Sequence, residues 1–178
     1  MADILDQLRF PVGPFDVKAP VNLSDMPAFI DEISEAPQHL RVAVAGLSER
    51  QLDTPYRPEG WTVRQVAHHL VDSHMNSIVR MKLALTEDEP TIKPYDEKKW
   101  AELADSRAAP IVLAVDLIEL LHQRWEILLR SLSPDDFERA FLHPEMGRIG
   151  MKVAVAFYAW HGTHHIAHIT SLRKREGW

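Results

Sequence analysis

Residues 160–168 have the sequence WHGTHHIAH, which holds four of the ten histidines in this chain of 178 residues. On an α-helix, the side chains of these four histidines fall within an arc of about 100°. They are His161, His164, His165 and His168. Apolar residues occupy the same arc in the neighbouring turns, so the arc is predicted to face the interior. Buried imidazoles need polar partners, and a metal ion would satisfy several of them at once.

Helical spacing of apolar residues extends on both sides of this stretch and predicts a helix over 151–175. Lysine and arginine near its end suit the helix dipole. Three more long helices are predicted from the same kind of spacing. They lie at about 24–45, 62–86 and 110–132. Thr62 and Gln65 have the spacing of a capping box, which marks the start of the second of these helices.

Four long amphipathic helices without a convincing alternating strand indicate an all-α fold, a four-helix bundle with short connecting helices. Pro37 is expected to kink or interrupt the first long helix, and 141–149 is expected to be a loop or a small hairpin. Residues 1–22 contain three prolines and no sustained periodicity. We expect them to form an N-terminal arm, and residues 23–178 to form a single metal-binding domain.

The composition excludes several classes of protein. Hydrophobic residues make up 46% of the chain and charged residues 26%, which is typical of a soluble globular domain. A net charge of −6 argues against a nucleic-acid partner. No apolar run reaches the length of a membrane span and no signal peptide is visible, so we expect no membrane partner and a cytoplasmic location. The absence of cysteine excludes disulfides and thiolate ligands.

Two overlapping pairs of histidines have the spacing that lets two imidazoles on one helix reach a single metal ion: His161 with His165, and His164 with His168. A third nitrogen should come from the helix at 62–86, where His68 and His69 are the candidates. His69 lies on a polar stripe that is either a solvated helix face or part of a polar cavity in the bundle. The other residues on or beside this stripe are Gln65, Asp72, Ser73, Asn76 and Arg80. The histidine-rich face favours the cavity.

Three histidines without a thiolate match an open catalytic site, in which one coordination position stays free for water. Nickel, iron and manganese also accept imidazole ligands, so the sequence alone does not determine the metal. We expect one divalent metal ion per chain, with zinc favoured and nickel as an alternative. His74 is predicted to be a packed core residue rather than a ligand. Structural or surface roles are predicted for His39, His122 and His143.

Several stretches of the sequence resemble one protein family, and together they cover nearly the whole chain. They are TPYRPEGW at 54–61, GWTVRQVAHHLVDSHMNS at 60–77, KPYDEKKW at 93–100, LHQRW at 121–125 and YAWHGTHHIAHITSLRKREGW at 158–178. The sequence is similar to the DinB superfamily, and most of all to its YfiT branch of metal-dependent hydrolases, which is related to bacillithiol transferases. The resemblance is loose only in the first twenty residues and at 135–150.

This resemblance implies a four-helix bundle of the DinB/YfiT type, usually a homodimer, with a metal site made of three histidines. The matching ligands are His69, the second histidine of the HH pair, and His161 and His165. His164 and His168 then become flanking residues. Family members often carry other small or polar residues where this chain has Gly162 and Thr163.

The leading hypothesis is therefore a metal-dependent hydrolase that uses a metal-bound water and acts on a small-molecule substrate. Asp72 could orient an imidazole or act as a base, while Asn76 and Arg80 could bind substrate. A first alternative is a metal-dependent S-transferase that conjugates a low-molecular-weight thiol, bacillithiol-like, to electrophiles. A second is a non-enzymatic metal-binding protein of the stress response.

Overall fold

Four long helices form the body of the protein, as expected. The computed structural model describes residues 2–178, with side chains from residue 6 onward. The long helices are α2 (Met26–Val44), α4 (Val63–Thr86), α7 (Ile111–Arg130) and α8 (Met151–Glu176). The shorter ones are α1 (Ala2–Arg9), α3 (Glu49–Leu52), α5 (Glu97–Ala101) and α6 (Ala104–Ala108), with 3₁₀ turns at Leu23–Asp25 and Asp136–Glu138.

The predicted start of α4 and end of α8 agree with the structure. The hydroxyl oxygen of Thr62 accepts a hydrogen bond from the backbone N–H of Gln65, and the Gln65 amide oxygen accepts one from the backbone N–H of Thr62. This capping box begins α4 where the sequence predicts it. α8 ends at Glu176, and the next residue is Gly177, whose φ of 73° suits a residue without a Cβ.

Pro37 was expected to kink or interrupt the first long helix, and it does not interrupt it, since α2 continues through this residue. A proline has no N–H, so the carbonyl four residues earlier, that of Ile33, lacks its usual donor within the helix. Nδ1 of His122, on α7, lies 2.6 Å from this carbonyl oxygen and donates to it. A neighbouring helix therefore satisfies the group that the proline leaves free.

Two regions outside the long helices also have regular structure. Residues 140–150 form the small hairpin that was one of the two expectations, with antiparallel strands β1 (Ala140–His143) and β2 (Gly147–Gly150). The helix α1, at the start of the predicted arm, was not predicted. The rest of the arm lies on α8, where the indole N–H of Trp160 donates to the carbonyl of Gly13 at 3.1 Å.

The core consists of two apolar clusters along the bundle, each with buried residues from all four long helices. One contains Leu40, Leu70, Ile118 and Ile169, and the other contains Ile33, Met81, Trp125 and Val155. On α4, α7 and α8, buried histidines lie between the segments that supply these clusters. The core thus contains a polar layer between two apolar ones. None of the helices in residues 2–178 is long and apolar enough to span a bilayer.

Gly162 lies at a close approach between helices, which explains a glycine in the middle of α8. A Cβ at this position would lie 3.3 Å from Cβ of Ala36 on α2 and 3.6 Å from Cε1 of His74 on α4. The side chains of Ala36 and His74 can come this close to α8 because residue 162 has no side chain of its own.

We therefore expect Gly162→Val to lower the free energy of unfolding by about 1–3 kcal/mol, because the added methyl groups overpack this contact. Thr163→Val is the matched control, since Thr163 is exposed and its change introduces the same residue one position along the helix. Urea unfolding of the metal-free proteins measures both values. Equal stability of the two variants would contradict the role of Gly162 in helix packing.

Candidate metal centre

Three histidines from two helices converge at one point in the bundle. His69 lies on α4, and His161 and His165 lie one turn apart on α8. Each offers a ring nitrogen, and these nitrogens all lie within 4.8 Å of one another. The ring centroids are 4.4–5.4 Å apart. The structure thus brings together the three residues that the resemblance implied. His68, the other candidate on α4, belongs to no such group among the described residues.

The electrostatics of this group favour neutral imidazoles. Burial, reinforced by the neighbouring His164, lowers the pKa of His69 to about 4. Burial and the other histidines hold the pKa values of His161 and His165 well below the ordinary value. Each ring therefore keeps a lone pair at neutral pH, as a metal ligand must. Nδ1 of His165 is buried and has no hydrogen-bond partner in the described residues. Three neutral nitrogens fit a divalent ion of the zinc type.

His164 and His168 form a second group with His165, entirely on α8. Their Nε2 atoms lie 3.1 Å apart. The ring of His164 stacks on Trp160 at 4.4 Å between centroids, and the ring of His168 stacks on Tyr56 at 4.0 Å. The two side chains thus pair with each other beside the first group. Only the first group draws nitrogens from two helices.

An aromatic residue for which the sequence favoured core packing over a role in lining a pocket borders the first group. The indole of Trp61 lies 4.6 Å from the ring of His69 and 6.3 Å from that of His165, between centroids. Trp61 comes immediately before the capping box, so the start of α4 also positions this indole. In the sequence, the only sign of this contact is that Trp61 lies next to the start of the helix that carries His69.

The polar stripe of α4 lies beside the histidines but contacts them at one residue. Oγ of Ser73 is 3.4 Å from Nε2 of His161. Burial and the charge of Asp105 raise the pKa of Asp72 to about 6. The side-chain amide of Asn76 donates to the backbone carbonyl of Asp72. No hydrogen bond in the described residues joins Asp72, Asn76 or Arg80 to the converging histidines.

Arg80 is the most distinctive of these polar residues. Its guanidinium lies 5.9 Å from the centroid of the Tyr95 ring, within the range of a cation–π contact. Its Nε is buried without a hydrogen-bond partner in the described residues. Burial raises the pKa of Tyr95 to about 12, so the phenol stays neutral. The Nε–H of this guanidinium is therefore a buried donor that no group in the described residues satisfies.

His74 is buried, as predicted, but it also contacts a candidate ligand. Its Nε2 lies 3.1 Å from Nδ1 of His161, and its Nδ1 lies 2.7 Å from Nε2 of His122. Local spacing gave no signal for this contact, because its three members lie on three different helices.

Burial lowers the pKa of His122 from 6.5 to about 4, so the unfolded chain binds one more proton than the folded one between these values. We therefore expect stability to fall as the pH is lowered through this range, by on the order of 1 kcal/mol per unit for this group. His122→Gln should weaken the pH dependence of unfolding, measured with urea on the metal-free protein. His39→Gln, at an exposed position, should leave it unchanged. An unaltered slope in the first variant would contradict this assignment.

Comparison with known proteins shows which family this chain belongs to. Residues 32–169 match the sequence profile of the DinB superfamily. A protein of Bacillus cereus named "Putative metal-dependent hydrolase" is 54% identical over 174 residues, which cover 98% of this chain and 100% of that protein. A protein of the same name from Bacillus anthracis is 53% identical with the same coverage.

Solved structures agree with the sequence matches. YfiT from Bacillus subtilis, described as a probable metal-dependent hydrolase with an unusual four-helix bundle topology, superimposes with a TM-score of 0.93. It is 47% identical, and the match covers 97% of this chain and 99% of that one. TT2238, a four-helix bundle protein, shares the fold alone, with a TM-score of 0.56, 14% identity and coverage of 82% and 98%. The predicted fold and resemblance are confirmed, and the chain belongs to the DinB superfamily.

Proposed function

We propose that this protein is a metal-dependent hydrolase in which His69, His161 and His165 hold one divalent ion, with zinc favoured over nickel. The observation that carries the proposal is the convergence of three ring nitrogens within 4.8 Å of one another, from two buried histidines and the half-buried His165. The names of the relatives support the reaction class.

Three imidazole ligands leave a coordination position open in a site of the zinc type. A divalent ion held by His69, His161 and His165 would supply a lowered pKa for a bound water, which is the chemistry that a hydrolase needs. The chain's contribution is to hold the three rings neutral and fixed. Trp61 covers the rings of His69 and His165 and limits access of bulk water to them.

The polar stripe of α4 supplies the remaining roles in this proposal. Asp72 has a pKa raised to about 6, which suits a general base at neutral pH. The positive charge of Arg80 would attract an anionic part of the substrate, and Asn76 would bind a polar group beside it. A small-molecule substrate with a carboxylate or phosphate would use both residues.

Two other functions would use the same histidines. In a thiol S-transferase, the chain would need a thiol from a small molecule, because it has no cysteine of its own. In a non-enzymatic metal-binding protein, the ion would be present without turnover.

A cytoplasmic location and a homodimer remain predictions. Exposed leucines on α7, at positions 113, 117 and 120, are an apolar surface that a second copy would cover.

The first test is the metal content of protein purified without a nickel column. We expect about one divalent ion per chain in the wild type. His161→Ala should lose the ion and lower the hydrolysis of model esters or amides by about 100-fold or more, because two nitrogens hold a metal poorly. His39→Ala is the control at an exposed histidine.

The same assays separate the three functions. Metal-dependent hydrolysis without added thiol supports the proposal. Turnover of a chloronitroaromatic compound only with added thiol would replace it with S-transfer. Bound metal without either activity would favour the non-enzymatic function, and a wild type that takes up neither zinc nor nickel would refute all three.

A second test concerns Asp72 as the base. We expect kcat/KM to fall as the pH drops through the pKa of this carboxyl, and Asp72→Asn to lower the rate by about 10²–10⁴-fold. Asp105→Asn should move the acidic limb to lower pH, because it removes a negative charge that raises the pKa of Asp72. A limb that stays in place in Asp105→Asn, or full activity in Asp72→Asn, would exclude this role.

A further inference from the structure

A continuous line of hydrogen bonds crosses the bundle and ends at a candidate metal ligand. It starts at the carbonyl of Ile33 on α2, 2.6 Å from Nδ1 of His122 on α7. Nε2 of His122 is 2.7 Å from Nδ1 of His74 on α4, and Nε2 of His74 is 3.1 Å from Nδ1 of His161 on α8. We call the three imidazoles the histidine network. Each long helix supplies one member of the line.

The carbonyl at the start determines the direction of every bond. An oxygen of this kind only accepts, so Nδ1 of His122 carries its proton. A neutral imidazole has one N–H, so Nε2 of His122 accepts from Nδ1 of His74. By the same argument, Nε2 of His74 accepts from Nδ1 of His161. His161 is then left with a lone pair on Nε2.

Pro37 makes the starting carbonyl available. If residue 37 were not a proline, its N–H would donate to the carbonyl of Ile33 within α2, but proline has no N–H. This carbonyl is therefore free to accept its hydrogen bond from another helix. Pro37, an unusual residue in a helix interior, thus leaves free the carbonyl of Ile33, which determines the direction of the hydrogen bonds in the network.

Packing keeps the rings in place. His74 and His122 are 0% and 1% exposed. Their rings stack with centroids 4.9 Å apart, and the indole of Trp125 meets both edge-on. Tyr158 closes another side of His74 at 90°. In the described part of the chain, the hydrogen-bond partners of these two rings are therefore the other members of the line, with no carboxylate among them.

We propose that His74 and His122 are positioning residues that hold His161 as the Nδ1–H tautomer, so that its Nε2 lone pair is presented to the divalent ion. Metal-ligating histidines commonly donate their other N–H to a carboxylate or carbonyl. Here a neutral imidazole takes that place, and its own tautomer is determined by a carbonyl two hydrogen bonds away. The proposal rests on the metal site proposed above.

The test changes His122, which does not contact His161. In His122→Leu, Nδ1–H of His74 loses its acceptor, and a buried donor without a partner is costly. His74 relieves this cost by moving its proton to Nε2, which then donates to His161. His161 must then carry its own proton on Nε2, where Ser73 can accept it. We expect this reversal in His122→Leu.

His122→Gln is the conservative variant. Its amide N–H can donate to the carbonyl of Ile33 and its amide oxygen can accept from His74, which preserves the direction of the bonds. Long-range ¹H–¹⁵N correlation spectra of the full-length metal-free protein report which nitrogen of His161 carries the proton. Competition with a chromophoric chelator measures the affinity for Zn²⁺.

We expect Nδ1–H at His161 in the wild type and in His122→Gln. His122→Leu should shift to Nε2–H and bind Zn²⁺ about 10–100-fold more weakly. An Nε2–H tautomer in the wild type would overturn the proposal, and this measurement stands even if His122→Leu does not fold. Loss of affinity in both variants with an unchanged tautomer would also overturn it, because it would indicate a purely structural role.

Failure of the metal site itself is distinguishable. If the wild type takes up no Zn²⁺, the proposed function fails, while the tautomer of His161 in the metal-free protein still decides whether the network has the proposed direction.

Discussion

The structure depends on the burial of several imidazoles in a helical core. A neutral imidazole has one donor and one acceptor, and both lose water when the ring is buried. A bundle of apolar helices offers few partners, because its backbone groups already bond to each other. This protein has three kinds of partner instead. Some imidazoles bond to each other, and one donates to a carbonyl that a proline leaves free. Three imidazoles have ring nitrogens close enough together to share a metal ion as their partner.

Local features of this fold could be predicted, because local patterns determine them. The capping box at Thr62 and the apolar spacing along α4 and α8 need no knowledge of other helices. The spacing of histidines also showed that His161 and His165, or His164 and His168, could share a metal. It left the choice between the pairs open. That choice came from the resemblance, and the structure places the first pair opposite His69.

Contacts between distant residues account for what the sequence did not predict. His74 was predicted to be a packed core residue and His122 a structural or surface residue. Their connection to His161 depends on how three helices are placed in the bundle. The carbonyl that Pro37 leaves without a donor likewise finds its partner far along the chain, at His122, 85 residues after Pro37 by their numbers. The helix α1 was not predicted because it has only eight residues, which are too few to show a clear apolar periodicity.

The proline in α2 has a consequence for protein engineering. A search for stabilising substitutions would select Pro37→Ala, because proline in a helix interior costs roughly 3 kcal/mol relative to alanine. The new N–H would compete with His122 for the carbonyl of Ile33. Such a variant could therefore gain thermal stability and yet order its core imidazoles less strictly. At this position, a score based on helix propensity alone would favour a substitution that raises the stability of the fold. The same substitution would weaken the order of the imidazoles at a distant site.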